Sequence, residues 1–306
     1  MADLKNATLC VVGCGNLGTP ILGQLVEAAR GEPTDFAFSR FIACVRSERS
    51  RNALLEKFKN DADVVTVYAG ENNRAVQEAD VIILGADPAD VHQVLSASGF
   101  REALGNKPLI SVVAGWTRAQ LELALYGSET TARNAADGRG WVIRTLPNIA
   151  ALVSQSLTVI EISESEPAIP SEYLDLTDRI FSRVGKTVRL PSRLMDAASA
   201  VAGSTPAFFA IICDALIDAA VAIGVPRDAA HTMISQSMLG SATVLTNGTQ
   251  PSALRDQGTS PEGCTIAGVM VLEEGAVRGH VGRALREAVT VARRMGKEAH
   301  VNDTRH

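Results

Sequence analysis

The stretch Thr8-Leu-Cys-Val-Val12-Gly13-Cys-Gly15-Asn-Leu-Gly18 decides the fold of the first half of the chain. A short apolar run rich in β-branched residues predicts a buried strand, and it leads directly into a GxGxxG pattern that opens a helical segment. Gly13 allows the tight turn, Gly15 lets a pyrophosphate approach the backbone, and Gly18 lets the helix pack closely. Because a helix N-terminus offers N–H donors to phosphate, the pattern predicts a dinucleotide-binding βα unit.

Similar apolar runs recur up to about residue 190, separated mostly by polar helical patterns, as in βα units on a parallel sheet. After Pro191 the β-branched runs stop and helical patterns bounded by glycine and proline take over. We therefore expect an α/β Rossmann-type N-terminal domain over residues 1–190, followed by an all-α C-terminal domain over residues 191–306. The expected strands are Thr8–Val12, Arg40–Val45, Val64–Ala69, Val81–Gly85, Leu109–Ala114, Trp141–Thr145 and Leu157–Ile162. In the second half, helices are expected near 192–202, 206–223, 226–246, 264–274 and 279–295.

The composition excludes several classes of protein. The 306 residues are 46% hydrophobic and 21% charged, as in globular domains, and Lys plus Arg (29) against Asp plus Glu (34) gives a net charge of −5. With no dense basic block, we expect no nucleic-acid partner. The most apolar stretch, Val201–Val225, contains Pro206, Asp214 and Asp218, so no membrane partner is expected. Five scattered cysteines without a CxxC pair predict no metal site, and the N-terminus lacks a signal-peptide pattern, which predicts a cytoplasmic protein.

The residues after the second strand bear on the cofactor. Arg46-Ser47-Glu48-Arg49-Ser50-Arg51 stands where NAD-binding domains usually carry an acidic residue. Arginine side chains and hydroxyls suit a 2′-phosphate, so we favour NADPH. NADH remains possible because Glu48 could bind a ribose hydroxyl, and a third alternative is a solvated helix start whose arginines face water.

Two segments of the second half differ from ordinary helical sequence. In Ala202-Gly203-Ser204-Thr205-Pro206-Ala207-Phe208, a proline interrupts a long apolar helical pattern. The loop from Leu254 to Thr265 brings hydroxyls and N–H groups to the start of another helix. Such a start either cradles a carboxylate or is simply capped by its own Ser and Thr side chains.

Together these segments resemble the pyrroline-5-carboxylate reductase family, which forms proline by reducing a cyclic imine with a nicotinamide cofactor. The resemblance runs nearly end to end and in family order. It rests on six segments: Gly13–Gly18, Asn72 with Ala79-Asp80-Val81, Ser111–Gly115, Arg144-Thr-Leu-Pro147-Asn148, Gly203–Phe208 and Thr259–Gly268.

The resemblance implies an NAD(P)H-dependent oxidoreductase whose helical domain forms a homodimer, and family members are dimers or rings of dimers. It implies that Ser260 and the backbone of Gly263, Cys264 and Thr265 hold the substrate carboxylate, with the Thr265 hydroxyl near the imine nitrogen. Ser260 and Thr265 are thus the expected catalytic residues. The expected cofactor residues are Gly13, Gly15, Asn16, Leu17, Gly18, Arg46, Ser47, Asn72, Ala86, Asp87, Pro88, Ala114, Gly115, Pro147 and Asn148.

Several positions depart from the family pattern where substrate and nicotinamide should meet. Glu262 and Cys264 stand in a segment that usually reads Ser-Pro-Gly-Gly-Thr-Thr, and a glutamate beside a carboxylate cradle is unfavourable. Thr259-x-x-Glu262 also spells a capping box, which would turn Glu262 away from the pocket, and we favour this slightly. Other departures are Thr205 and Phe208 for Gly and Tyr, Ala86-Asp87-Pro88 for Val-Lys-Pro, and Ile149-Ala150 for Thr-Pro. A substituted or larger-ring imine is therefore a candidate substrate beside 1-pyrroline-5-carboxylate.

Two alternative functions are compatible with a Rossmann-type domain followed by a helical one. The β-hydroxyacid dehydrogenases also join a Rossmann domain to a helical one, but they need a lysine acid/base in the helical domain. After Lys186 this chain has only Lys297, which disfavours that chemistry. The second alternative is a catalytically altered nucleotide-binding homologue that acts as a sensor or scaffold, and it stays open.

Overall fold

The computed structural model describes residues 6–31, 38–127, 139–163 and 168–295. The chain divides into two compact units, one formed by Met1–Gly203 with Val291–His306 and the other by Ser204–Thr290. Residues 195–203 thus belong to the sheet-containing unit, where Met195, Ala198 and Ala202 pack against Leu146 and Val159. The expected domain boundary after residue 190 stays a prediction. Lys297, the one lysine after Lys186 that the dehydrogenase alternative could use, lies outside the described residues.

The first unit is built on one sheet of eight strands in the order β3-β2-β1-β4-β5-β6-β7-β8. The first six strands pair in parallel with their neighbours, which is the Rossmann arrangement that the βα pattern predicted. The strands are β1 Ala7–Val12, β2 Phe38–Val45, β3 Val65–Ala69, β4 Val81–Leu84, β5 Leu109–Ser111, β6 Val142–Leu146, β7 Ser156–Ile162 and β8 Gly185–Pro191.

The far edge of the sheet differs from the expectation in two ways. β7 runs antiparallel to β6, because the connection over residues 147–155 holds only a 3-10 turn, too short for the crossover that a parallel pair needs. β8 was not predicted at all. It lies at the edge, mostly half-exposed or exposed, and carries Lys186 and Arg189, whose charges protect an edge from pairing with other chains but hide its strand pattern.

Helices cover both faces of the sheet. Alternate residues of each strand point to opposite faces, so Leu9 and Val11 join one core cluster while Cys10 and Val12 join the other. The first cluster is completed by α1 and α7, and the second by the short helices α3 to α6. The helices of this part of the chain are α1 Gly18–Arg30, α2 Glu48–Lys57, α3 Asn72–Glu78, α4 Val91–Leu95, α5 Phe100–Leu104, α6 Arg118–Tyr126 and α7 Ser171–Phe181.

After β8 the described chain is helical, as expected, and the break predicted at Pro206 is present because one helix ends at Gly203 and the next begins at Thr205. The helix at Pro251–Gln257 was missed, since it is short and has no apolar stripe. The helices are α8 Met195–Gly203, α9 Thr205–Ala222, α10 Arg227–Thr246, α11 Pro251–Gln257, α12 Cys264–Glu274 and α13 Val277–Arg294.

The helical unit buries very little of its own apolar surface. Of the residues between 204 and 290, only Ile217 and Ala230 are buried, whereas Ile211 is 70% and Ile223 is 83% exposed. Within Ser192–Ala222 an 18-residue window has a mean hydropathy of 1.8, so this stretch is long and apolar enough to cross a membrane by length and composition alone. Exposed apolar helical surface on this scale marks a site of contact with another protein or with a membrane.

Candidate active site

Close packing of the backbone requires glycine at two positions of the turn after β1. Gly13 has φ +96°, and a Cβ atom there would lie 2.5 Å from the backbone nitrogen of Ala86. A Cβ atom on Gly18 would lie 2.3 Å from the carbonyl oxygen of Gly13. No atom lies within 4 Å of the corresponding position on Gly15. Gly13 and Gly18 are therefore required by the fold, while Gly15 leaves open space next to the backbone.

Hydrogen bonds hold this turn in place. The N–H groups of Gly13 and Cys14 both donate to the carbonyl oxygen of Cys44, at 3.0 and 2.9 Å. The Thr19 hydroxyl donates to the carbonyl oxygen of Cys14 at 3.0 Å. No side chain caps the start of α1, whose N-cap residue is Leu17. In the first turn of α1, the Thr19 N–H donates to the carbonyl oxygen of Gly15 at 3.1 Å, and Pro20 has no N–H. The Gly18 N–H therefore remains for a ligand at the start of the helix, and phosphate suits such a terminus.

A cavity of about 520 Å³, which we call the turn cavity, opens at this turn. The carboxyl ends of β1, β2, β3 and β4 lead into its lining, where ligands of open α/β sheets bind. It contains seven of the expected cofactor residues: Gly13, Gly15, Arg46, Ser47, Asn72, Ala86 and Asp87. Eight others do not line it: Asn16, Leu17, Gly18, Pro88, Ala114, Gly115, Pro147 and Asn148. Ser50, a hydroxyl of the segment expected to suit a 2′-phosphate, also lines it, and the lining residues that sequence reasoning missed include Gly70, Asp90 and Gln93.

The charges in the turn cavity are few. Among its lining residues Arg46 is the single cation, and Asp87 and Asp90 are the two anions. Arg46 Nη1 lies 2.7 Å from Asp90 Oδ2. Arg49 and Arg51, the other arginines of this segment, do not line the cavity. Arg51 Nη1 is 3.2 Å from Glu48 Oε2, and Arg51 Nε donates to the carbonyl oxygen of Val67. Glu48 is likewise engaged outside the cavity.

Three buried thiols lie around the turn. Cys10 Sγ and Cys44 Sγ are 3.8 Å apart, and Cys14 Sγ points to the carbonyl oxygen of Val11 at 3.6 Å. The hydrogen bond to Cys44, followed by burial, raises the pKa of Cys10, and burial raises the pKa of Cys14 far above its usual range. Cys10 and Cys14 stay protonated at neutral pH, so they act as small apolar side chains rather than nucleophiles.

The segments expected near the nicotinamide are tied together by side-chain hydrogen bonds. Trp116 Nε1 donates to the carbonyl oxygen of Pro88 at 2.9 Å, joining the loop after β5 to the loop after β4. Asn148 Nδ2 donates to the carbonyl oxygen of Ala202 at 2.9 Å, and Asn148 Oδ1 accepts from the N–H of Ala150. The loop after β6 is therefore fastened to the last turn of α8.

A buried cluster of charged side chains joins β6, which leads into the same loop, to β7 and to the start of α8. Arg144 and Glu161 are each 4% exposed, and their Nη1 and Oε2 atoms are 3.4 Å apart. Arg144 Nη2 also lies 3.4 Å from Asp196 Oδ1 in the first turn of α8, and the Ser192 hydroxyl donates to Glu161 Oε1 at 2.9 Å. Sequence reasoning missed this cluster, because Glu161 and Asp196 lie far from Arg144 along the chain.

The expected substrate residues lie at the start of α12 in the helical unit. The Gly263 N–H already donates to the carbonyl oxygen of Ser260 at 3.1 Å, whereas Cys264 and Thr265 begin the helix, where N–H groups have no intrahelical partner. Ser260, Cys264 and Thr265 are exposed. A Cβ atom on Gly263 would lie 2.5 Å from Ser260 Oγ, so glycine is required beside this hydroxyl.

The expected capping box of Thr259 and Glu262 is wrong. The N-cap of α12 is Gly263, and no side chain caps this helix. The Thr259 hydroxyl instead donates to the carbonyl oxygen of Asp256 at 2.9 Å. Glu262 has φ +60°, a left-handed conformation that costs a non-glycine residue about 1–2 kcal/mol. The backbone thus explains the glycine that the family usually carries here, and Glu262 remains an exposed charge next to the helix start.

Two family models match the chain. Residues 192–295 match the model described as pyrroline-5-carboxylate reductase dimerisation, and residues 8–115 match the model described as NADP oxidoreductase, coenzyme F420-dependent. The two matches cover the helical region and the glycine-rich turn described above.

Full-length relatives agree with these matches. The chain is 40% identical to a pyrroline-5-carboxylate reductase of Lophium arboricola over 97% of this chain and 96% of that one. It is 38% identical to the pyrroline-5-carboxylate reductase of Neurospora crassa over 98% of this chain and 96% of that one. The fold matches a pyrroline-5-carboxylate reductase from Coxiella burnetii with a TM-score of 0.77, at 24% identity over 96% of this chain and 100% of that one. This chain therefore belongs to the pyrroline-5-carboxylate reductase family.

Proposed function

We propose that this protein reduces 1-pyrroline-5-carboxylate to L-proline with NADPH as the hydride donor. The observation that carries the proposal is the similarity to pyrroline-5-carboxylate reductases over nearly the whole chain, at 40% identity for the relative from Lophium arboricola. The turn cavity and the uncapped start of α12 supply two sites of suitable chemistry, one for a phosphorylated nucleotide and one for a carboxylate.

The turn cavity suits the adenosine and phosphate end of the cofactor. Gly15 leaves room for a pyrophosphate at the start of α1, and Arg46 with Ser47 lies where a 2′-phosphate would be held. The match of residues 8–115 to an NADP oxidoreductase model agrees with NADPH. The residues expected at the nicotinamide, Ala114, Gly115, Pro147 and Asn148, do not line this cavity, and we assign them to the other end of the cofactor.

The start of α12 suits the substrate carboxylate. The N–H groups of Cys264 and Thr265 and the Ser260 hydroxyl are exposed donors at the positive end of an uncapped helix. The Thr265 hydroxyl on the first turn then orients the imine nitrogen. Because the Gly263 N–H is used within the turn, it contributes less than the other three donors.

The proposed reaction needs these residues to align the substrate rather than to act as a strong acid or base. NADPH supplies the hydride, which adds to the carbon of the C=N bond while the nitrogen keeps the proton that it already carries. The Thr265 hydroxyl would hold that nitrogen by a hydrogen bond, and the helix start would fix the carboxylate, which together would orient the imine carbon for hydride transfer. Electrostatic stabilisation of the bound ions is the remaining contribution of the chain.

The protein is a homodimer through its helical region, as the dimerisation-model match over residues 192–295 indicates. The exposed apolar side chains of α9, α10 and α12 then become interface rather than membrane surface. We propose further that residues 191–306 form the dimerisation domain, that dimers assemble into a ring, and that the protein acts in the cytoplasm. Light scattering of the purified protein tests the ring, since a dimer alone gives twice the chain mass.

The proposed activity is tested by mixing the protein with NADPH and 1-pyrroline-5-carboxylate, and separately with piperideine-6-carboxylate, while following the absorbance of NADPH. Equal amounts of proline formed and NADPH consumed are expected with the five-membered imine. Thr265→Val removes the hydroxyl at nearly constant volume and should lower kcat more than it changes NADPH binding. NADPH binding without turnover of either imine would instead support a sensor or scaffold.

A further inference from the structure

Arg46 and Asp90 form an ion pair at the turn cavity. Arg46 follows β2 and Asp90 follows β4, and these two strands flank β1 in the sheet. The pair therefore spans the carboxyl end of β1, beside the Gly13 turn, and both residues line the turn cavity. It joins the single cation among the cavity residues to one of the two acids.

We propose that Asp90 is a specificity-determining residue that weakens the preference of this enzyme for NADPH over NADH. The inference rests on the proposed function, because it assigns the 2′-phosphate of NADPH to Arg46. In this arrangement Asp90 occupies the guanidinium donor that the phosphate would take, and its negative charge repels the incoming dianion.

The local bonding shows that Asp90 is committed to Arg46. Asp90 is the N-cap residue of α4, yet its side chain makes no capping hydrogen bond and instead lies 2.7 Å from Arg46 Nη1. Aspartate normally caps a helix at this position. Asp87, the other acid of the cavity, differs because its Oδ1 accepts from the N–H of Ala89 within its own turn. Asp90 is thus the acid that faces the phosphate-binding cation.

The same carboxylate favours the cofactor without the extra phosphate. Dinucleotide-binding folds that use NAD hold the ribose 2′-hydroxyl with an acidic side chain, usually at the end of the second strand. In this chain that strand ends at Val45 and is followed by Arg46, and Asp90 brings a carboxylate to Arg46 from the neighbouring loop. A neutral hydroxyl can donate to Asp90 while the ion pair stays intact, whereas a 2′-phosphate must displace or share it.

Calorimetric binding of 2′,5′-ADP and 5′-AMP tests the inference without turnover, because these probes differ only by the 2′-phosphate. The pair is partly exposed, with side-chain exposures of 85% and 34%, so the effect is moderate. Asp90→Asn should raise the ratio of the 5′-AMP Kd to the 2′,5′-ADP Kd by about three- to tenfold. The kcat/KM ratio of NADPH over NADH should rise in parallel.

Glu71→Gln is the matched control. It makes the same change of charge between the lining residues Gly70 and Asn72, but Glu71 pairs with Arg74 at 3.1 Å and does not line the turn cavity. This control should leave the ratio unchanged. In an Arg46→Gln background the preference for 2′,5′-ADP should be largely lost, and Asp90→Asn should then raise the ratio by no more than about twofold.

The outcomes separate this inference from the proposed function. If the wild-type protein binds 2′,5′-ADP tightly and Asp90→Asn leaves the ratio unchanged or lowers it, Asp90 does not oppose the phosphate and the inference fails alone. A fall in the ratio would mean that Asp90 orients Arg46 for the phosphate. If the wild-type protein binds neither probe, the proposed cofactor site fails and the inference fails with it.

Discussion

Asn148 Nδ2 donates to the carbonyl oxygen of Ala202 at 2.9 Å, so the loop after β6 and the last turn of α8 are joined by one side chain. The same amide accepts from the N–H of Ala150 through Oδ1. The loop that the family resemblance places near the nicotinamide is thereby fixed to the point where the chain leaves the sheet-containing unit at Gly203.

Asn148→Asp tests this connection, because it keeps the acceptor for Ala150 but replaces the donor that faces Ala202. We expect urea unfolding to show a loss of about 1–3 kcal/mol and kcat to fall, while the Kd for 2′,5′-ADP stays unchanged. Asn73→Asp is the control, since Asn73 Nδ2 makes the same kind of bond to the carbonyl oxygen of Ser98 at 2.7 Å. If both variants lose kcat equally, Asn148 has no special role in turnover.

Alanine at two glycines of the turn should give opposite phenotypes. Gly18→Ala places a Cβ atom against the Gly13 carbonyl and should destabilise the protein by about 1–3 kcal/mol. Gly15→Ala meets no protein atom, so stability should hold while the Kd for NADPH rises about tenfold, or about 1.4 kcal/mol. Gly23→Ala, on the open side of α1, should stabilise slightly and leave binding unchanged. NADPH binding by Gly15→Ala at wild-type affinity would exclude a pyrophosphate at this position.

Glu262→Gly should improve both stability and substrate binding. It relieves the left-handed conformation at φ +60°, for a net gain of about 0.5–1 kcal/mol after the added flexibility of glycine. It also removes a negative charge beside the carboxylate site, so the KM for the imine should fall about two- to fivefold. Ser154→Gly, at φ +55°, relieves a similar strain elsewhere and should leave this KM unchanged. A KM unchanged in Glu262→Gly would place the Glu262 charge away from the bound substrate.

The buried pair of Arg144 and Glu161 should show strong coupling. Arg144→Met leaves Glu161 buried without its cation, and we expect a loss of about 3–5 kcal/mol in urea unfolding. The double variant with Glu161→Gln removes that unpaired charge and should recover part of the loss. If the stability lost in the double variant equals the sum of the losses in Arg144→Met and in Glu161→Gln alone, the two side chains do not stabilise the protein as a pair.

Cys10 and Cys14, which are buried beside the turn, should be inert to alkylation in the folded protein. Since the pKa values of Cys10 and Cys14 are raised, their reactive thiolates should not appear as the pH rises from neutral toward the ordinary thiol range. Cys264, which is exposed, should carry the early reaction with a thiol reagent. Mass spectrometry of the labelled peptides checks this, and early labelling of Cys14 would mean that the turn opens in solution.

Local sequence patterns predicted most of the fold, because elements with many buried residues carry the clearest runs of apolar residues. β1 and β4 are fully buried, and their runs of Val, Ile and Leu identify them without ambiguity. β8 was missed because this edge strand carries Lys186 and Arg189 among few apolar residues and buries little of its length. The reversed direction of β7 depends on the length of its connection rather than on its own residues.

The site was predicted as far as it rests on short motifs. Gly13, Gly15, Arg46 and Ser47 belong to such motifs, and all four line the turn cavity. Asp90 could not be inferred, because its relation to Arg46 depends on β2 and β4 both lying next to β1. Glu262 was interpreted as a cap from its spacing to Thr259, and only the backbone angle shows that the helix begins later.

The nearly coreless helical unit makes assembly part of folding. With only Ile217 and Ala230 buried between residues 204 and 290, an isolated chain has little to hold these helices together. A newly synthesised chain must therefore meet a second copy before this half is stable, and its completion is a bimolecular event. Thermal denaturation should shift to lower temperature on dilution, and the rate of the final refolding phase should fall in proportion as the protein is diluted. The amount of active enzyme in a cell would then rise more steeply than the amount of chain made.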